Sequence, residues 1–120
     1  NPQHAPYGRA AEAALRHAGV YDRIAGKLVL GENVAQTLQY VQSGAADVGL
    51  VALSLAVAPN LRGQGRYWEV PLGSYPMLWQ GGAILKRAQR SSAAAALRAF
   101  LISSAGLRIL QQYGFSLPKY

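Results

Sequence analysis

The sequence predicts an α/β fold, and three observations carry the prediction. Helical and strand-like patterns follow one another in the order α, β, α, β, β, β, α, α, alternating through the first half. The run Asp47–Leu53 (DVGLVAL) is apolar almost throughout and of strand length, which suits a strand buried on both faces. Two loops, Asn1–Gly8 (NPQHAPYG) and Gly31–Val34 (GENV), each end where a helical pattern begins. At 120 residues, 51% hydrophobic and 14% charged, the chain is one domain or less, with enough apolar residues for a packed core.

Asn1–Pro6 reads as a loop, because Pro2 and Pro6 both disfavour helix before them. From Tyr7 the pattern is helical: Ala10, Ala11, Ala14, Leu15 and Ala18 recur at three and four, and Gly19 is a natural stop. Val20–Ala25 is a helical turn with Tyr21 and Ile24 inward, and Lys27–Leu30 a short strand closed by Gly31. The second helix spans Asn33–Gln42, with Val34, Leu38 and Val41 on one stripe, Asn33 as its cap candidate and Ser43-Gly44 as its end. After the strand Asp47–Leu53 come a helical turn to Ala58, a glycine- and arginine-rich loop over Asn60–Arg66, a strand at Tyr67–Val70 and a turn region at Pro71–Pro76. Met77–Lys86 is a longer strand weakened by Gly81-Gly82. Ser91 caps a helix over Ser92–Ser103, a last helix covers Ser104–Tyr113, Gly114 ends it, and Phe115–Tyr120 is a tail.

Enzyme chemistry finds little to work with, and no enzyme is expected. The acids Glu12, Asp22, Glu32, Asp47 and Glu69 form no close pair, and His4 and His17 are separated by a helix. Ser54 lacks the flanking glycines of a nucleophile elbow, Gly63-Gln64-Gly65 lacks a third glycine, and no Walker motif occurs. There is no cysteine. The balance is basic, 12 Lys+Arg against 5 Asp+Glu, but the cations are spread out, the densest runs, Lys86–Arg90 and Arg62–Arg66, are not long basic blocks, and no nucleic acid is expected as a partner. No signal-peptide or transmembrane run is read, and the chain starts at Asn1 without a methionine, as a processed chain or a piece of a longer one would.

The two loop-to-helix junctions are the better candidates. A helix N-terminus presents unpaired N–H groups at the positive end of the helix dipole, and two aimed at one point make an oxyanion pocket. At the first, Pro6 fixes the loop, Tyr7 opens the helix and Gly8 allows close approach to the backbone. At the second, Gly31 serves the turn, Asn33 the cap, and Val34 offers its backbone N–H.

The strings NPQHAPYGRAAEAAL, KLVLGENVAQTLQYVQSGAADVGLVALSLA, YPMLWQGGAILK and GLRILQQYGF together resemble the periplasmic molybdate-binding proteins (the ModA family) of ABC transporters, over nearly the whole chain and in order. The resemblance implies the second lobe of a type II periplasmic binding protein, with a returning hinge strand and C-terminal helices. It divides the chain into an α/β segment with the anion loops at 1–74, a hinge strand at 75–86, and helices at 87–120 that would pack on a first lobe. It implies that molybdate or tungstate is held by neutral backbone donors at Tyr7 and Val34, supported by Pro6, Gly8, Gly31 and Asn33, with no cofactor and no metal cation. Where some members carry a tyrosine in the VALS-like segment this chain has Ala52, so Tyr7 is expected to fill that space. The implied partners are the transporter permease and either the missing first lobe or a second copy of the chain, and the implied location is the periplasm. A fragment, one half of a two-chain protein and a truncated homologue that dimerises are all open. The alternative function is an oxyanion-sensing or oligomeric regulatory module of the same fold.

Overall fold

The computed structural model describes residues 1–117; the last three residues of the tail expected at Phe115–Tyr120 lie outside it. The chain divides into two compact units, unit 1 over Asn1–Trp79 and unit 2 over Gln80–Tyr120.

Unit 1 holds α1 (Pro6–His17), α2 (Tyr21–Ile24), α3 (Val34–Gln42) and α4 (Leu53–Ala56), with 3₁₀ turns at Ala25–Lys27, Pro59–Leu61 and Leu72–Ser74. α1 starts on Pro6, whose fixed φ suits the first helical position and whose missing N–H would have had no partner there. It stops at Gly19, which takes φ 67°, so that the Gly19 N–H reaches the Arg16 carbonyl at 2.9 Å and the Val20 N–H reaches that of Leu15 at 3.1 Å. This double closure satisfies two carbonyls that the helix end would otherwise orphan. α1 packs against α2 and against the turn at Leu72–Ser74, burying Ala10 and Ala14. At its C-terminal end Arg16 pairs with Glu12 at 2.8 Å and lies over the Tyr21 ring, 3.9 Å from its centre. The Glu12 hydrogen bond raises the Arg16 guanidinium above its ordinary pKa.

Unit 2 holds a 3₁₀ turn at Lys86–Ala88, then α5 (Ser92–Leu101) and α6 (Ser104–Gln112). The two helices are capped by serine: Ser91 Oγ accepts from the Ala94 N–H and Ser103 Oγ from the Gly106 N–H, each at 3.2 Å. They bend by 61° at their junction. Gly106 is buried there, and a Cβ on it would run into the Phe100 carbonyl oxygen and the Leu101 backbone. α6 ends on Gly114 with the closure seen in α1: Gly114 N–H to the Gln111 carbonyl at 3.0 Å, Phe115 N–H to that of Leu110 at 3.1 Å. No described helix is long and apolar enough to cross a membrane.

The expected strands are not formed. Among the described residues Lys27–Leu30, Asp47–Leu53, Tyr67–Val70 and Met77–Lys86 carry no strand, and unit 1 and unit 2 are helices joined by irregular and extended chain. The backbone is extended at Leu28, Tyr75 and Leu85. A strand, however, is defined by ladder bonds to a neighbour. The backbone bonds found outside the helices join residues a few positions apart, apart from one at Asn1 taken up below. The run that was to be buried on both faces is instead open, with Val48 83% exposed. Tyr67, Trp68 (75%), Met77 and Trp79 (74%) are exposed as well. The buried apolar side chains among the described residues are three alanines, Ala10, Ala14 and Ala52.

Candidate functional site

Both candidate loops lie in unit 1, and one hydrogen bond joins them: the terminal ammonium of Asn1 donates to the Gly31 carbonyl oxygen at 3.0 Å, across thirty positions of sequence. The Asn1 carbonyl then accepts from the Ala5 N–H at 3.0 Å, and its side-chain oxygen from the Gln3 N–H at 3.0 Å. The first loop is thus a closed turn whose start is fastened to the second.

At the head of α1, Ala5 is the N-cap in an extended conformation and makes no side-chain cap bond. The Arg9 N–H is the first to find a carbonyl, that of Ala5, at 3.1 Å. Pro6 has no N–H, so Tyr7 and Gly8 carry the free donors of this helix end; neither has a partner among the described residues. Gly8 is required by a close approach, but of the chain itself. A Cβ there would strike the Asn1 carbonyl group and the Pro2 nitrogen. The expectation that Gly8 leaves room for another group is corrected accordingly: the first loop occupies that space.

At the head of α3 the cap is complete. Asn33 Oδ1 accepts from the Gln36 N–H at 2.9 Å, and the Gln36 side chain reaches back to accept from the Glu32 N–H at 2.7 Å. This is the reciprocal pairing of a capping box, with the return bond made one residue earlier than usual. The Thr37 N–H and hydroxyl both donate to the Asn33 carbonyl, at 3.2 Å each. Val34 and Ala35 are left with N–H groups that have no partner among the described residues. Gly31 is buried, and a Cβ on it would meet Thr37 Oγ1 at 2.6 Å, so its role is to let the loop lie on the first turn of α3. The run after α3 uses the same device, since a Cβ on Gly49 would meet Val41 Cγ2 at 2.7 Å.

Each candidate residue therefore sits at one of two helix N-termini whose loops are tied together. The sequence reading missed three contributors. Gln36 was signalled by the spacing Asn33-x-x-Gln36; Thr37 and the Asn1 anchor had no local signal. His4 and His17 are exposed, and no group of three metal-ligating side chains is present among the described residues.

The unpartnered donors are neutral backbone N–H groups at helix ends, a donor type that suits an anion. Residues 1–116 match the family model described as bacterial extracellular solute-binding protein. The chain is 34% identical over 115 residues to the molybdate-binding protein ModA of Rhodobacter capsulatus, covering 96% of this chain and 44% of that protein. It is 35% identical over 117 residues to the ModA of Azotobacter vinelandii, covering 98% and 46%. It is 25% identical over 118 residues to a putative ABC transporter substrate-binding lipoprotein, YvgL, of Bacillus subtilis, covering 96% and 44%. The chain spans about half the length of these curated relatives. No solved structure matches it significantly. On the match along nearly its whole length, the chain belongs to the bacterial extracellular solute-binding protein family.

Proposed function

We propose that this chain is the second-lobe part of an ABC transporter's solute-binding component, and that it takes molybdate or tungstate. The observation that carries the reading is the pair of unpartnered donor sets, Tyr7/Gly8 and Val34/Ala35, on two helix ends of unit 1. A doubly negative tetrahedral oxyanion is matched by neutral N–H groups and helix dipoles, which need no counter-charge in contact. Two relatives are named as molybdate-binding proteins, which favours that oxyanion over others.

In this reading the segments at 27–30, 47–53, 67–70 and 77–86 are the strands of an α/β lobe that lack their ladder partners. The partners come from a first lobe or from a second copy. The 75–86 segment is the hinge return, and α5 and α6 turn their apolar residues toward that first lobe. Tyr7 lines the cleft above Ala52, delivery is to a membrane permease, and the compartment is the periplasm. No catalytic residue and no cofactor enters.

The test is calorimetric titration of the 120-residue chain with molybdate, with sulfate as control and the oligomeric state fixed by light scattering. Saturable binding that favours molybdate supports the reading. Equal binding of sulfate and molybdate overturns it, and no binding of either by the folded chain means that this is the second lobe alone and that the site needs the missing half.

A further inference from the structure

The charge of this chain is unevenly placed. All five acids, Glu12, Asp22, Glu32, Asp47 and Glu69, lie in unit 1. Unit 2 contains Lys86, Arg87, Arg90, Arg98, Arg108 and Lys119 and no acid at all, so those six account for nearly all of the formal charge of +7. Lys119 lies outside the described residues; the other five are exposed.

Three of them are concentrated. The turn at Lys86–Ala88 is closed by the Ala88 N–H on the Leu85 carbonyl at 2.8 Å and the Gln89 N–H on that of Lys86 at 3.2 Å, and the Ser91 N–H follows on that of Ala88 at 3.0 Å. Lys86, Arg87 and Arg90 thus lie within five residues of closely wound chain, all exposed. Three like charges within one tight segment repel one another, and unit 2 offers no carboxylate to offset them.

We propose that the Lys86–Arg90 segment is a docking surface for an anionic phospholipid membrane. The complement of such a surface is a surface of negative charge. A surface of one sign, with no acid in unit 2, fits a smeared sheet of headgroup charge, which demands no register. The effect is to hold the protein at the membrane by diffuse attraction, independently of the oxyanion reading.

The experiment is co-sedimentation of the whole chain with vesicles of equimolar phosphatidylglycerol and phosphatidylcholine, against vesicles of phosphatidylcholine alone, at low and high salt. Binding to the anionic vesicles at low salt and its loss at high salt are expected. The triple variant K86Q/R87Q/R90Q weakens it about a hundredfold, on the usual contribution of a basic residue near a charged bilayer. The control K27Q/R62Q/R66Q removes the same charge from exposed positions of unit 1 and weakens it much less. Equal loss in the two triple variants would assign the effect to net charge and overturn the proposal. So would salt-insensitive or lipid-independent binding. Retention on a poly-glutamate resin without binding to anionic vesicles would assign the segment to an acidic protein instead, and would also overturn it.

Discussion

Replacing Val34 by proline deletes a single hydrogen-bond donor and disturbs little else. Val34 is the first residue of α3, the position where proline is best tolerated, and its N–H is unused within the described chain. Asn33 before it is already extended, at φ −147° and ψ 170°, as a residue preceding proline must be. The capping bonds of α3 run through Glu32, Asn33, Gln36 and Thr37, and all survive the change. A hydrogen bond to a charged group contributes about 1.5–3 kcal/mol, so Val34→Pro should weaken molybdate binding about 10- to 150-fold. Val34→Ala keeps the N–H while removing the half-buried side chain, and should leave the affinity within a few-fold. Calorimetric titration of the three proteins reads the difference. If Val34→Pro bound no more weakly than Val34→Ala, this N–H would not touch the ion and the site would have to be sought elsewhere. The same substitution at Tyr7 is a poorer probe, because it would force helical Pro6 to precede a second proline.

Other substitutions test the frame around the site. Asn33→Ala removes the acceptor for the Gln36 N–H and should lower stability by about 1 kcal/mol in denaturant unfolding, with Asn33→Ser restoring most of it. Gly8→Ala drives a methyl into the Asn1–Pro2 backbone and should cost about 1–3 kcal/mol, seen as a lower unfolding midpoint together with faster proteolysis of the first loop. Gly106→Ala, which meets the Phe100 and Leu101 backbone, should loosen the α5–α6 junction, read as faster amide exchange in unit 2 with unit 1 unaffected.

The helices were legible because their signals are local. Pro6, Asn33, Ser91 and Ser103 open them, and Gly19, Gly44 and Gly114 close them with φ between 67° and 77°. Observed ends fall within about two residues of those expected, the usual uncertainty of a helix boundary. The strands could not be read in the same way. An apolar run such as Asp47–Leu53 states that a segment would be buried, and only a neighbouring segment can make it a strand. Val48, Trp68 and Trp79 stay exposed because no such neighbour lies on them among the described residues. At the site, the positions of Tyr7 and Val34 were visible from the loop-to-helix pattern. The reasons for Gly8 and Gly31 were not, since both answer to contacts made through space, one with Asn1–Pro2 and one with Thr37. The Asn1–Gly31 bond, which ties the two loops, follows from no pattern in either loop alone.

The central claim concerns four amide groups, and amide proton–nitrogen correlation NMR reads them one by one. Titration with molybdate should move the Tyr7, Gly8, Val34 and Ala35 signals together, saturating at a common concentration, while amides in unit 2 stay in place and sulfate moves them less. Shifts confined to the arginine-rich segments, or spread evenly over the chain, would contradict the account and reduce the anion's effect to nonspecific attraction by a basic protein.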